Sequence, residues 1–382
     1  MGNNSAVRRI LVPYFLAGSG HLVSAKAIAH YLRQKQPDWK IELLEPADHL
    51  DSKPLDRLYR RSWHTVLRRP KFSEFMFSLF DSILPSIPIA INRRVIRKEL
   101  PGTRILIDKI RPDLIMTTHW GCGHLFQAAR VEYDIDVPLF LVRNDLGGAF
   151  HVQDCGCDIT FVMSDAAKKA FVDLGVPPEM VKKVNLLVRP EFLDSDKLRA
   201  SSREKLGIRQ DEFTVLLSAG GEGLGSLEDY VTATISAADY SDSPLRLLVL
   251  TGRNEELRKT LDGKLDDSRV SILGYRDDMP SIMAASDLVV GKCGANYTME
   301  TLMMGKPFVI TQIGAPSERF NMEFVVDRGY GWYTPSPEMY ARLLRRCLTD
   351  ETLLAEVRER LTSLPRKSGA EQIAEAIIDR LE

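Results

Sequence analysis

Glycines recur at the ends of short apolar runs through the second half of this 382-residue chain. They read Ala219-Gly220-Gly221-Glu222-Gly223-Leu224-Gly225, Thr251-Gly252-Arg253-Asn254, Gly274-Tyr275 with Met279, and Lys292-Cys293-Gly294. Glu300 and Gly314-Ala315-Pro316-Ser317-Glu318-Arg319-Phe320-Asn321 follow. A glycine turn lets backbone N–H groups approach a phosphate with no Cβ in the way, and a helix starting there adds its dipole. Taken in order, these loops suit a nucleotide diphosphate. A single glycine loop also suits a plain strand-to-helix turn, so the order and spacing carry the inference.

The first half offers different chemistry. Gly18-Ser19-Gly20-His21 ends a short strand and opens a helix. A helix N-terminus holds an imidazole neutral, so His21 suits a base that takes a proton from an acceptor hydroxyl. It equally suits a helix cap or a phosphate donor, and Asp145 is a rival base. His119, His124 and His151 are candidates for lining an acceptor pocket, whereas His30, His49 and His64 have no partner pattern. Asn296 is expected to cap the helix running through Leu302, whose free N–H groups would face a phosphate. Glu300 could accept from two ribose hydroxyls, and Arg253 either approaches the diphosphate or pairs within its own domain. Growing charge on a departing diphosphate can be met by a helix dipole or by a metal. No Asp-x-Asp stands at a strand end, so transfer without a metal is the expectation. The chain has no Walker loop, HExxH helix or CxxC pair. Its five cysteines read as reduced thiols.

The elements that must position these residues read as two repeats of an alternating α/β pattern. Strands are expected at Arg9–Tyr14, Ile41–Leu44, Leu114–Thr117, Leu139–Val142 and Ile159–Met163, with a further apolar stretch at Val184–Val188. The pattern restarts at Thr214–Ser218, Arg246–Leu250, Val270–Leu273, Leu288–Val290 and Phe308–Thr311. Residues 1–187 form the first expected domain and 188–382 the second, with the last helix, Ala370–Leu381, a candidate for packing back on the first. Residues 1–187 hold 26 Lys+Arg against 20 Asp+Glu, and the remainder 25 against 32, giving +6 and −7. No apolar run is long enough to span a membrane, and the N-terminus lacks a signal-peptide core. Nothing points to nucleic acid.

Residues 51–99 interrupt the repeat with 11 basic and 5 acidic residues interleaved with Trp63, Phe72, Phe75 and several isoleucines. Arg68 and Arg69 sit among them. This mixture fits an anionic lipid surface, or a long insertion with a solvated basic face.

The ordered set Gly18–His21, Gly220–Gly223, Gly252–Asn254, Lys292–Gly294, Glu300 and Glu318/Asn321 resembles the processive diacylglycerol glycosyltransferases and monogalactosyldiacylglycerol synthases. More distantly it resembles the peptidoglycan lipid-intermediate N-acetylglucosaminyltransferase. The resemblance implies a GT-B fold, two Rossmann-like domains facing a cleft, and transfer of a hexose from a UDP-sugar to diacylglycerol or a glycosyl-diacylglycerol with inversion. It implies that Gly20 and His21 face the reaction, with His21 the family's proposed catalytic histidine. Asn144-Asp145 matches a Thr-Asp pair and His119 a His-Pro motif. Gly221, Glu222 and Gly223 match a phosphate loop, Gly274, Tyr275 and Met279 a uracil loop, and Glu300 a ribose acid. Gly294, Asn296 and Tyr297 fall beside the phosphate, and Ser317, Glu318 and Asn321 at the donor sugar. Ser317 stands where many members have Gln, and Cys293-Gly294-Ala295-Asn296 where they have Ala-Gly-Pro-Gly. The implied setting is cytoplasmic, on the inner face of a membrane, with no cofactor. Alternatives are a soluble acceptor, a sugar-nucleotide epimerase, or a non-catalytic UDP-sugar or lipid binder.

Overall fold

The computed structural model describes residues 7–63, 66, 73, 75, 86–218, 220, 227–241, 243–265 and 267–382. Arg68, Arg69, Phe72, Gly221, Glu222 and Gly223 lie outside the described residues. The chain divides into two compact units. The first is Met1–Arg189 with Ala315–Phe320 and Lys367–Glu382; the second is Pro190–Gly314 with Asn321–Arg366. A single cut after residue 187 is therefore too simple, because two later stretches group with the first unit.

The first unit is built on strands β1 (Arg9–Pro13), β2 (Lys40–Leu44), β3 (Leu114–Thr117), β4 (Leu139–Val142), β5 (Ile159–Val162) and β6 (Val181–Lys183). All pair in parallel, in the order β2-β1-β3-β4-β5-β6. Its longer helices are α1 (Gly20–Lys35), α2 (Ser86–Ile110), α3 (Trp120–Tyr133) and α4 (Asp165–Asp173). Every residue of β3 and β4 is buried, which is why these strands read as unbroken apolar runs rather than alternating ones.

The second unit holds α5 (Ser195–Lys205), β7 (Phe213–Ser218), α6 (Leu227–Ser241), β8 (Leu245–Leu250), α7 (Glu255–Lys264), β9 (Val270–Leu273), α8 (Met279–Ala285), β10 (Leu288–Lys292), α9 (Ala295–Met303), β11 (Phe308–Gln312), α10 (Glu318–Asp327), β12 (Gly331–Tyr333), α11 (Pro337–Thr349) and α12 (Glu351–Thr362). Helix α10 begins in the stretch grouped with the first unit. The sheet order is β12-β11-β10-β7-β8-β9, again all parallel. The final helix, α13 (Gly369–Leu381), packs on α1 within the first unit. Lys35 bridges to Glu371 and Glu375, each at 3.0 Å, and Arg8 donates to the Leu381 carbonyl at 2.8 Å.

The apolar stretch Val184–Val188 lies just past strand β6. Val184 N–H still donates to the Val162 carbonyl of β5, and the rest of the stretch meets the start of α13, with Val188 N–H donating to Ser368 Oγ and Gly369 N–H to the Leu186 carbonyl. Strand β12, three residues long, carried no sequence signal of its own.

Candidate active site

In an open parallel sheet, loops leave neighbouring strands toward opposite faces at one place, and ligands bind there, beyond the carboxyl ends. In the first unit that place lies between β1 and β3. Gly18 takes φ +72° and lets the chain turn from β1 into α1. The Glu45 carboxylate anchors this turn, accepting from Leu16 N–H at 2.8 Å. His21 lies in the first turn of α1. Its Nδ1 is 2.5 Å from the Thr118 carbonyl just past β3, and Thr118 Oγ1 donates back to the His21 carbonyl at 2.9 Å. A carbonyl only accepts, so the proton sits on Nδ1 and the lone pair on Nε2. Burial lowers the pKa of His21 from the usual histidine value; the Thr118 carbonyl and Asp145 push it back up, and Arg143 adds to the lowering.

His119 lies against this ring, with centroids 4.5 Å apart. Its pKa is held well below the ordinary value, first by burial and then by His21, Arg143 and His124. Asn144 and Asp145 follow β4. Asn144 reaches within 3.3 Å of His21 Nδ1, and Asp145 pairs with Arg143 at 2.7 Å in a largely buried ion pair. The structure therefore gathers His21, His119, Asn144 and Asp145 at one sheet edge. His124 instead bonds the Val152 carbonyl. Sequence reasoning missed Thr118 and Arg143, and also Tyr59, whose ring stacks on Phe15 with centroids 4.2 Å apart. Of the insertion, Trp63 overlies the turn: a Cβ on Gly18 would come within 3.0 Å of its indole nitrogen. Phe75 is 63% exposed.

In the second unit the corresponding place lies between β7 and β10. Gly220 follows β7 at φ +78°, and a Cβ there would lie 3.8 Å from Lys292 Cε at the end of β10. Gly294, not Asn296, occupies the N-cap of α9; Asn296 is already inside the helix, which begins at Ala295. Glu300, two turns in, is 9% exposed. The Tyr297 hydroxyl is buried near Ser218, and burial raises its pKa. Asn321 is fully buried and donates to the Cys293 carbonyl at 3.0 Å, pinning the loop before α9.

Gly252 and Gly274 follow β8 and β9 on the same edge. Arg253 stacks over the ring of Tyr275 at 4.6 Å, so it pairs within its own unit, while Tyr275 stays half exposed. Met279 begins α8 rather than lying in a loop. Ser317 and Glu318 fall in the stretch grouped with the first unit, so the division separates them from Asn321. Among the described residues, no three His, Cys, Asp or Glu side chains are arranged to hold a metal.

The family model for the glycosyltransferase family 28 C-terminal domain matches residues 214–377. Monogalactosyldiacylglycerol synthase 3 of Arabidopsis thaliana is 30% identical over 350 residues, covering 88% of this chain and 74% of that protein. A probable monogalactosyldiacylglycerol synthase 2 of Oryza sativa subsp. indica is 27% identical over 372 residues, covering 91% and 75%. The crystal structure of MurG of Acinetobacter baumannii shares the fold with TM-score 0.65 at 14% identity, covering 97% of this chain and 99% of that one. The chain belongs to the monogalactosyldiacylglycerol synthase family of glycosyltransferases, and is a UDP-sugar-dependent glycosyltransferase of GT-B fold.

Proposed function

We propose that this enzyme moves a hexose from a UDP-sugar to the hydroxyl of diacylglycerol or a glycosyl-diacylglycerol, with inversion and without a metal. The observation that carries this reading is the His21 tautomer: with Nδ1–H given to the Thr118 carbonyl, Nε2 is the atom left to accept a proton. The acceptor oxygen attacks the anomeric carbon as its proton passes to His21 Nε2. The bond from that carbon to the phosphate oxygen breaks, and UDP leaves. One displacement inverts the centre. The N–H groups opening α9 after Gly294 stabilise the charge that grows on the diphosphate. Glu300 holds the ribose, Gly274, Tyr275 and Met279 the uracil, and Ser317, Glu318 and Asn321 the sugar, roles carried over from the family resemblance. The relatives' names favour galactose as the hexose.

Docking is peripheral, on the cytoplasmic face. No helix among the described residues is long and apolar enough to cross a membrane. Helix α2 instead exposes Ile87 and Ile91, with the exposed Arg94 and Lys98 two turns further along each, a mixed face that suits an anionic interface. A panel of radiolabelled UDP-sugars with diacylglycerol vesicles, before and after exhaustive EDTA treatment, tests the reading. Transfer that survives EDTA, and that His21→Ala abolishes while UDP still binds, is the expected result. Loss with EDTA that Mn²⁺ restores removes the metal-free step, and no transfer to any lipid removes the acceptor class.

A further inference from the structure

We propose that His119 is a positioning residue for His21: a neighbouring imidazole locked in the opposite tautomer, which keeps the proton that His21 takes from moving on. The inference rests on His21 being the base. His119 stands at the N-cap of α3, where its Nδ1 accepts the Gly121 N–H at 2.9 Å. Its one lone pair is thereby engaged, and its own proton lies on Nε2. His21 has the reverse arrangement, with Nδ1–H on Thr118 and the lone pair on Nε2.

A proton can pass from one imidazole to another only where the receiving ring has a free lone pair. Here His119 could accept one only by breaking the helix cap inside an apolar box. The box is made by Phe15, Tyr59 and Trp120, with ring centroids 5.3, 5.3 and 5.4 Å from His119. Tyr59 fills the space a side chain on Gly121 would need, so the wall fits only glycine there. The residue is 3% exposed. The titratable and charged groups facing it are His21 from α1, Arg143 from the segment after β4, His124 from α3, and Tyr59. Two of these, His21 and Arg143, oppose a second positive charge most directly.

The same turn also aims His21. Thr117 Oγ1 donates to the Pro13 carbonyl at the end of β1 at 2.8 Å, and His119 N–H donates to Thr117 Oγ1 at 3.1 Å. With the Gly121 bond, these fix the Thr118 carbonyl that orients His21. The proton from the acceptor hydroxyl thus moves to His21 Nε2 and no further until product leaves.

Histidine-labelled ¹⁵N NMR of the full chain reads the tautomers directly. His119 should remain neutral with the proton on Nε2 from pH 5.5 to 8.5; a titrating His119, or one protonated at Nδ1, overturns the proposal. Two variants separate cap from ring. His119→Asn keeps an oxygen for the Gly121 N–H but admits water beside His21; His119→Phe keeps a ring and loses the cap. Each should lower kcat about tenfold with KM for the UDP-sugar unchanged, and His119→Asn should move the acid limb of the pH profile upward as His21 is resolvated. Wild-type kcat and limb in His119→Asn overturn the proposal. Wild-type turnover in His21→Ala removes the base reading instead, while the NMR result stands separately.

Discussion

Lys306 should make the stability of the second unit depend on pH in a direction opposite to common expectation for a lysine. It follows Gly305, which takes φ +67° just past α9, and the residue is 7% exposed. It donates to the Ala284 and Ser286 carbonyls at the end of α8, at 3.0 and 2.9 Å. Burial lowers its pKa from 10.5 to about 7; Arg199 and Arg358 act the same way and Asp287 opposes them. The gap corresponds to about 5 kcal/mol at roughly 1.36 kcal/mol per pH unit. The unfolded lysine keeps its proton up to about pH 10.4, and the folded one sheds it near 7. Between those values the unfolded state binds more protons, so stability rises with pH; below 7 the full cost is present. Lys306→Met removes the cost and also the two carbonyl bonds, each worth about 1.5–3 kcal/mol when the donor is charged. Those two terms oppose each other, so the absolute change at one pH decides little. The slope decides. Measured by denaturant unfolding followed by circular dichroism at pH 6, 7, 8 and 9, wild-type stability relative to Lys306→Met should be lowest at pH 6. It should then climb by about 1.4 kcal/mol per pH unit above 7. A difference that stays flat across this range refutes the assignment of a costly buried charge.

The Arg143–Asp145 pair should tune His21 in opposite senses. Activity of a neutral base falls as pH drops through its pKa, so Arg143→Met should raise the acid limb of kcat/KM and Asp145→Asn lower it; limbs moving the same way contradict the geometry. Glu300→Gln removes a charged acceptor and should raise KM for the UDP-sugar about tenfold, near 1.4 kcal/mol. Calorimetry with UDP alone checks it, and unchanged affinity excludes the ribose contact. Ile91→Asp with Arg94→Glu on α2 should abolish flotation with anionic vesicles at low salt and leave the rate on a detergent-dispersed acceptor within about twofold. Retained flotation places docking elsewhere.

Much of this arrangement was legible in the chain. The strands that were easiest to read are buried on both faces, such as Leu139–Val142, because nothing interrupts their apolar runs. The turn into His21 was legible because glycine permits φ +72° there. What escaped notice acts through the backbone or through sheet order. Thr118 works through its carbonyl, which any residue has, and it meets His21 only because β3 lies beside β1. Arg143 belongs to the site because β4 follows β3 in the sheet. Tyr59 sits in a π-turn, Asp56–Arg61, whose sequence reads as ordinary basic surface. Asparagine is a good cap and Asn296 reads as one, but the helix starts two residues earlier than that reading requires, at Ala295, and the cap falls to Gly294.

Sheet order also bears on where donor selectivity resides. The two departures from the family pattern that bear on the sugar fall in two loops, Cys293–Asn296 after β10 and Ser317 ahead of Asn321 after β11; a third, Asn185-Leu186-Leu187, lies elsewhere. These strands are neighbours, with Val290 opposite Val309. Asn321 joins the two loops, since its amide holds the Cys293 carbonyl from a fully buried position. A side chain spent in that way acts on a sugar first by fixing the loop that opens α9, and only second by touching it. Ser317 stays partly exposed and carries no such constraint. On the proposed reading, a change of hexose preference with phosphate binding kept is therefore expected at Ser317 rather than at Asn321.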